Sequence, residues 1–182
     1  MLRYAVFDTR IGTLFAAVGS GGVAALQCFT EQEAHLSGLR RRFGVEPLAD
    51  MDIIRPLIRY VHDYEAGLVP VEPWRPDLRG LPPFTVRALE AARRIPRGRV
   101  AAYSDVAAAV STAGAARAVG RAMARNPVLM LVPCHRVVSV AGIGGFSAPM
   151  RLKVALLAAD GLAADVASLR RARIGPDALR PT

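Results

Sequence analysis

The feature that most constrains the fold of this chain is a proline-rich segment near its middle. Residues 69–83 contain five prolines and a glycine, which is incompatible with a regular helix or strand. We therefore predict a linker there, between an N-terminal domain over residues 1–80 and a C-terminal domain over residues 81–182. With 182 residues, 52% of them hydrophobic, the chain is long enough for one medium domain or two small ones.

The N-terminal part has the pattern of a small antiparallel sheet followed by two helices. Apolar and small residues alternate over residues 4–29, and glycines mark the turns. Residues 31–42 and 51–65 have the spacing of amphipathic helices. His35 and His62 have no cysteine or histidine at metal-ligand spacing, so we expect no metal site.

The C-terminal part has the pattern of a helix-turn-helix. A helix over residues 85–94 precedes a short strand around residues 100–103. Ser104 can cap a helix through Val110, residues 111–114 form a turn, and a second helix covers residues 115–125. This arrangement is typical of DNA-binding proteins.

The second of these helices carries arginines on one face. Arg117, Arg121 and Arg125 lie four residues apart and no acidic residue lies among them. A solvated charged face is the alternative, but unpaired arginines there would only repel one another. The remaining residues, Ala115 and Ala116 among them, are nearly all small and would let the helix approach nucleic acid closely. We therefore expect this face to bind DNA.

The net charge of +9 comes from the C-terminal part. Residues 1–80 contain nine basic and ten acidic residues, and residues 81–182 contain 15 basic and five acidic residues, a balance of −1 against +10. Two explanations fit this asymmetry. Either the C-terminal part binds a polyanion and releases its counterions, or the composition is simply rich in arginine, since 23 of the 24 basic residues are Arg.

The composition also bears on location. No apolar run approaches the length of a membrane span, and no signal-like segment opens the chain. Cys28 and Cys134 form neither a disulfide framework nor a CxxC pattern. We expect a cytoplasmic bacterial protein without a membrane partner, associated with the nucleoid when it is bound to DNA.

One pentapeptide, Pro133-Cys134-His135-Arg136-Val137, places a thiol beside an imidazole and a guanidinium. It follows residues 129–132, an apolar run that predicts a buried strand or its approach. The thiolate is the reactive form of cysteine, and a neighbouring base or cation is needed to produce it at neutral pH. His135 and Arg136 are the candidates, although the pair alone is also compatible with a buried structural cysteine.

Residues 84–161 closely resemble the O⁶-alkylguanine-DNA alkyltransferase family, the methylated-DNA–protein-cysteine methyltransferases, which are suicide DNA repair proteins. The first 80 residues match more loosely, through residues 11–14. The residues that carry the resemblance follow in order and nearly without gaps: Ile95-Pro96-Arg97-Gly98, Tyr103, residues 115–120, Asn126-Pro127, residues 133–138, Gly144-Gly145-Phe146 and Lys153.

The resemblance implies a direct displacement without a cofactor. Cys134 would attack the alkyl carbon on O⁶ of guanine, with O⁴-alkylthymine as a further substrate, and would keep the group as a thioether, so that each molecule reacts once. His135 would activate Cys134 through a water, and an acidic residue would orient the imidazole. The family has a glutamate at this acidic position. Here it is Asp160, which is shorter by one methylene.

The resemblance also assigns the contacts with the flipped base. The Tyr103 hydroxyl would donate to the base, and Phe146 would stack on it. The backbone of Cys134 and Val137 and the amide of Ser147 would bond the guanine edge, and Asn126 would join the recognition helix to the active site.

The implied partner is double-stranded DNA carrying alkylated guanine. The recognition helix would enter the minor groove, and Arg117 would take the place of the flipped nucleotide. Further DNA contacts are expected from Ala115, Ala116, Arg121, Arg125 and Arg136. We expect a monomer that clusters along DNA.

Several departures from the family pattern leave a second hypothesis open. They comprise a loop shorter by one residue between Gly142 and Phe146, and the residues Leu89, Arg97, Phe146 and Ala148-Pro149. A non-catalytic lesion sensor of the alkyltransferase-like type would tolerate them, but such proteins usually lack the cysteine. A third hypothesis, a Cys-His hydrolase of small substrates, gives no reason for the arginine helix.

The expected fold is α/β (α+β). It combines a small N-terminal antiparallel-sheet domain with a mainly helical C-terminal domain that holds the helix-turn-helix and the active-site loop. Residues 142–145 predict a hairpin or wing. The tail from Ala163 onward, with Arg170, Arg171 and Arg173, is either a short helix touching DNA or a disordered end.

Overall fold

The computed structural model describes residues 1–28, 30–69, 74–110 and 114–181. The chain divides into two compact units, Met1–Leu81 with Pro127–Leu131, and Pro82–Asn126 with Val132–Thr182. The sequence did not indicate that a segment as distant as Pro127–Leu131 belongs to the first unit. It does so through hydrogen bonds with one residue of the sheet, since the Leu26 amide donates to Pro127 O and the Leu129 amide donates to Leu26 O, both at 2.8 Å.

The first unit is a four-stranded sheet with two helices. The strand order is β3-β2-β1-β4, and all pairs are antiparallel except β1 with β4. The predicted antiparallel sheet and both predicted helices are confirmed. The elements are β1 (Arg3–Thr9), β2 (Gly12–Gly19), β3 (Gly22–Cys28), α1 (Gln32–Phe43), β4 (Leu48–Ala49) and α2 (Met51–Glu65).

Each helix of this unit has its own link to the sheet. Helix α1 buries Leu36 and Leu39 in a cluster with Phe15 of β2. Helix α2 ends in Glu65, whose carboxylate accepts hydrogen bonds from the Ile11 amide at 3.0 Å and the Arg10 amide at 3.3 Å. The turn between β1 and β2 thus has two backbone amides whose acceptor is a side chain more than 50 residues further along the chain. This contact satisfies donors that the sheet itself leaves unpaired.

The second unit is mainly helical, as predicted. Its two short strands pair in parallel, Ala101 with Val137 and Ala102 with Val138. The elements are α3 (Pro83–Arg93), β5 (Ala101–Ala102), α4 (Tyr103–Ala109), α5 (Ala116–Ala124), β6 (Val137–Val138), α6 (Met150–Ala159) and α7 (Val166–Ala172), with 3₁₀ turns at Cys134–Arg136 and Pro176–Leu179. Helices α4 and α5 are the predicted helix pair; of the predicted turn between them, residues 111–113 lie outside the described residues.

Two local predictions are wrong. Ser104 does not cap α4, because the helix already begins at Tyr103 and the Asp105 carboxylate accepts the Ala102 amide at 2.8 Å. Of the two alternatives for residues 129–132, the strand is wrong, and these buried residues are the approach to the Cys134 turn. Met130 has a φ of +67°, and this left-handed conformation turns the backbone out of an extended path.

The loop and the tail that follow the active-site turn are regular only in part. The predicted hairpin at residues 142–145 is reduced to one antiparallel bridge between Ser139 and Gly142. The tail is ordered through residue 181 and contains α7, so a disordered end is ruled out. No helix within the described residues combines the length and the apolar character needed to cross a membrane.

Two glycines with positive φ allow a stability prediction. Gly22 opens β3 at φ +113°, and a Cβ there would overlap the Arg75 carbonyl oxygen. Gly44 follows α1 at φ +67°, and a Cβ there would meet no described atom within 4 Å. Gly44→Ala should therefore lower the free energy of unfolding by about 1 kcal/mol, and Gly22→Ala by more than about 2 kcal/mol. Urea denaturation followed by circular dichroism measures both, and equal losses would contradict this account.

Candidate active site and nucleic-acid interface

Cys134 lies in the 3₁₀ turn between Pro133 and β6, with only 3% of its surface exposed. Its amide donates to Val132 O at 2.8 Å. Asn126, which follows α5, donates from Nδ2 to both Val132 O at 2.8 Å and the Cys134 sulfur at 3.1 Å. One amide group thus connects the end of the arginine helix to the thiol.

The surroundings of the thiol have opposing effects on its ionisation. Burial raises the pKa of Cys134, whereas the Asn126 hydrogen bond and the charge of Lys153 act in the opposite direction. Since burial prevails, the resting form is the thiol. A base is needed to remove its proton before it can react.

Lys153 is a functional candidate that the sequence pattern did not single out as a site residue. Its side chain is fully buried in α6, and Nζ donates to Val137 O at 2.8 Å and to Gly145 O at 3.2 Å. Nζ also lies 5.8 Å from the ring centre of Tyr103 and 5.5 Å from that of Phe146. Burial lowers the pKa of Lys153 to about 8. One sequence feature could have indicated its burial. Lys153, the single lysine of the sequence, lies on the apolar stripe formed by Leu152, Leu156 and Leu157.

His135 is fully buried beside the acid that the sequence proposed for it. Its Nε2 lies 3.0 Å from Asp160 Oδ2. Burial lowers the pKa of His135 and the hydrogen bond to Asp160 opposes that effect, so the imidazole is neutral at pH 7. A carboxylate can only accept, which places the proton on Nε2 and leaves Nδ1 as the basic nitrogen.

Asp160 caps the C-terminal end of α6 and contacts cations from two other segments. Arg136 binds it with two hydrogen bonds, Nε to Oδ2 at 2.5 Å and Nη2 to Oδ1 at 2.9 Å. Arg97 Nε lies 3.7 Å from Oδ1. Burial alone would raise the pKa of Asp160, but the hydrogen bonds from His135 and Arg136 outweigh it and hold the pKa well below its usual range. Asp160 is therefore a carboxylate at neutral pH despite its burial.

The pairing of Arg136 with Asp160 argues against the predicted contact of Arg136 with DNA. The residue is 8% exposed, and a third hydrogen bond from Nη1 reaches Ile95 O at 2.8 Å. A guanidinium that is buried and bonded in this way cannot reach a phosphate without breaking its pair with Asp160.

A pocket of about 460 Å³ lies between α5 and the loop after β6. The Tyr103 hydroxyl, predicted to donate to the base, donates to Gly145 O at 2.9 Å in this structure. Burial raises the pKa of Tyr103, and a thiolate at Cys134 would raise it further, so the phenol keeps its proton. The lining residues are Tyr103, Ala116, Arg117, Gly120, Met123, Ala124, Gly145, Phe146 and Ser147.

Helix α5 presents its arginines to solvent and buries its opposite side. Arg117, Arg121 and Arg125 are exposed, whereas Val119, Ala122 and Met123 are buried. Ala115 is the residue before the helix, and Ala116 opens it. The three arginines therefore share the exposed face, as their spacing predicted.

The structure brings the predicted residues together in two groups. Tyr103, Phe146, Ser147, Ala116 and Arg117 surround the pocket. Cys134 and His135 lie in the buried turn, where Asn126 bonds the Cys134 sulfur and Asp160 bonds the His135 imidazole. Lys153 connects the groups, because its Nζ bonds both Val137 O, next to the turn, and Gly145 O on the pocket wall.

Known proteins match this chain in sequence. A family model described as the DNA-binding domain of 6-O-methylguanine DNA methyltransferase matches residues 83–162. A methylated-DNA–protein-cysteine methyltransferase of Saccharolobus islandicus is 42% identical over 80 residues, 44% of this chain and 52% of the relative. This chain thus spans about half the length of that relative. A protein of the same name from Sulfolobus acidocaldarius is 31% identical over 162 residues, 89% of this chain and 95% of the relative.

Solved structures match it in fold. The crystal structure of a Mycobacterium tuberculosis O⁶-methylguanine methyltransferase has a TM-score of 0.72 and 28% identity, covering 88% of this chain and 93% of the other. That of the Mycobacterium tuberculosis OGT in complex with DNA has a TM-score of 0.74 and 27% identity, covering 87% and 93%. With its buried cysteine turn, arginine helix and near full-length relative, this chain belongs to the methylated-DNA–protein-cysteine methyltransferase family.

Proposed function

We propose that this protein repairs DNA by moving a methyl or other alkyl group from O⁶ of guanine irreversibly to Cys134. The observation that carries the proposal is the buried turn, in which a thiol lies next in sequence to a neutral histidine held by a carboxylate. The family membership supports the same reaction. A pocket of about 460 Å³ next to an arginine helix has room for a purine and supports a base in DNA as the substrate.

The proposed step is a displacement at the alkyl carbon. The Cys134 sulfur forms a bond to that carbon while the bond from carbon to O⁶ breaks, and guanine leaves with the electron pair. The thiol proton passes to His135, and a proton returns to the departing guanine, so charge and atoms balance. A thioether has no easy leaving path, which limits each molecule to one reaction.

The buried groups have complementary tasks in this step. Neutral His135 accepts the thiol proton at Nδ1 through a water, and Asp160 stabilises the imidazolium that forms. Asn126 and Lys153 favour the developing thiolate, the first by its hydrogen bond and the second by its charge. Because burial alone disfavours the thiolate, we attribute its reactivity to these four groups together.

The pocket residues bind the extruded base in the proposal. Tyr103 exchanges its bond with Gly145 O for one to the base and stabilises charge on the leaving guanine. Phe146 stacks on the ring, and Ser147 and the Val137 backbone bond its edge. Binding of the base therefore competes with a hydrogen bond that the empty pocket already makes.

The arginine helix binds the duplex in the proposal. Small residues at Ala115 and Ala116 permit a close approach to the minor groove, and Arg121 and Arg125 neutralise phosphates. Arg117 lies both on this face and on the pocket wall. It is therefore placed to fill the stack that the flipped base has left.

The first prediction concerns the transfer itself. Incubation with a duplex containing one O⁶-methylguanine should add one methyl group per protein, mapped to Cys134 by peptide mass measurement. Cys134→Ala should gain none, and Cys28→Ala should react like the parent. A protein that binds the duplex but gains no mass would be a lesion sensor, and repeated turnover would indicate a hydrolase. Either result overturns the proposal.

The second prediction concerns the carboxylate. Asp160→Asn should slow transfer at pH 7 by at least roughly tenfold, because the imidazolium loses its counter-charge. Asp160→Glu should stay active. Asp177→Asn, which removes an exposed carboxylate of the same unit, should react at the parental rate. The rates come from single-turnover kinetics, and a parental rate for Asp160→Asn would show that Asp160 only ends a helix.

The same variant has an expected pH signature in stability. The folded pKa of Asp160 lies below its unfolded value, so its stabilising effect is complete above about pH 4 and is lost as the pH falls further. The loss in unfolding free energy of Asp160→Asn should therefore be largest at pH 7 and shrink toward roughly pH 3.

The third prediction separates the arginines by task. Arg117→Ala should reduce transfer from a duplex far more than transfer from the free alkylated base, because only the duplex requires a filled stack. Arg121→Ala, its matched control one turn away, should weaken binding to any duplex and reduce the salt slope by roughly one unit. Equal losses of Arg117→Ala on duplex and free base would show that it shapes the pocket instead.

A further inference from the structure

The C-terminal tail lies beyond the part of the chain that the family model matches, yet it is packed into the second unit. The match ends at residue 162. After it, Leu169 and Ala172 of α7 are buried in a cluster with Val100, Val138 and Leu157. Leu179 of the last 3₁₀ turn has no exposed surface. The tail therefore contributes to the core of this unit.

The chain after α7 is hydrogen-bonded to the segment that leads into the pocket. The Val100 amide donates to Ala172 O at 3.1 Å, and the Ile174 amide donates to Val100 O at 2.8 Å. Val100 is followed by β5 and then by Tyr103, the first residue of α4. Two backbone bonds thus hold the tail three residues from the pocket tyrosine.

Arg173 extends this link to the first turn of α4. Its Nε donates to Asp105 Oδ2 at 2.8 Å, and its Nη2 donates to Asp105 Oδ1 at 2.9 Å. Asp105 is 7% exposed, and its Oδ2 also accepts the Ala102 amide at 2.8 Å. The carboxylate thus bonds the residue before Tyr103 while its own charge is neutralised from the tail.

Tyr103 depends on this turn for its direction. Its ring lies beside Lys153 Nζ and its hydroxyl reaches Gly145 O. A tyrosine at the first position of a helix moves with the backbone of that turn, since the preceding amide has its acceptor on Asp105. If the carboxylate lost Arg173, it would keep a buried charge with one backbone donor and would tend to turn toward water.

We propose that Arg173 is a positioning residue of the base-binding pocket, acting through Asp105 on the first turn of α4 and hence on Tyr103. The choice of an alkylated base as ligand rests on the proposed function. The geometric part of the proposal, from Arg173 to Tyr103, does not. In this assignment the tail is part of the pocket's support rather than a DNA contact.

The first experiment tests the geometry without any activity. The protein is produced with fluorotyrosine, and the Tyr103 resonance is assigned by comparison with Tyr103→Phe. Arg173→Gln should shift or broaden that resonance, Arg173→Lys should have a smaller effect, and the matched tail control Arg171→Gln should have none. An unchanged Tyr103 resonance in Arg173→Gln would overturn the proposal, even if the variant were less stable.

The second experiment tests the consequence for the reaction, with the free alkylated base as substrate so that DNA contacts play no part. Arg173→Gln should lower the second-order rate constant by about tenfold. In the Tyr103→Phe background the same change should cost less than about twofold, because the residue it positions has lost its hydroxyl. Equal losses in both backgrounds would show that Arg173 does not act through Tyr103.

A third measurement separates this outcome from unfolding and from failure of the proposed function. Alkylation of Cys134 by iodoacetamide needs no bound base, so Arg173→Gln should react with it at the parental rate to within about twofold. An accelerated reaction would indicate an opened fold and count against the proposal. If the parent protein transfers no alkyl group, the proposed function fails, and the fluorine resonances still decide whether Arg173 positions Tyr103.

Discussion

The carboxylate of Asp160 is buried at the end of α6, where it is bonded by the His135 imidazole and the Arg136 guanidinium and lies near Arg97. A buried charge is tolerated only when it is paired and hydrogen-bonded, and removing one partner leaves the others uncompensated. The 3₁₀ turn that contains Cys134 is therefore held from behind by an ionic cluster. The same cluster fixes the tautomer of His135, so that structure and chemistry at this turn depend on one interaction.

Opposing effects also act on the ionisation of the Cys134 thiol. Burial protects Cys134 but disfavours its ionised form, while Asn126 and Lys153 favour that form without being bases for it. In the proposed reaction this combination is an advantage, because a buried thiol that is not ionised at rest is protected from stray electrophiles. Lys153 also binds carbonyls on both sides, Val137 O near the turn and Gly145 O at the pocket. The charge that favours the thiolate is thus hydrogen-bonded to Gly145, a residue of the pocket wall.

The pocket is assembled from segments that are distant in sequence. Helix α5 contributes Arg117 and small residues, the loop after β6 contributes Phe146, and α4 contributes Tyr103. Each of these has its own support: Asn126 at the end of α5, Lys153 under the loop, and the Asp105–Arg173 pair at α4. Precise placement of reacting groups is worth several orders of magnitude in rate, so in the proposed function these supports matter as much as the residues that would contact the base.

The sequence by itself determined the local periodicities and indicated the candidate reactive residues. The sheet and helices of the first unit, the helix pair of the second, the arginine face of α5 and the pairing of His135 with Asp160 all followed from spacing or from the family resemblance. The tertiary structure decided what spacing does not encode. Arg136 and Arg121 are alike as sequence, but one is buried on Asp160 and the other faces solvent. Ser104 and Asp105 are both capping residues by type, and only Asp105 has Arg173 opposite it. Lys153 bonds the backbone carbonyls of Val137 and Gly145, and Arg173 bonds the Asp105 carboxylate. Spacing along the sequence does not encode these contacts, because burial and pairing depend on which segments meet in the fold.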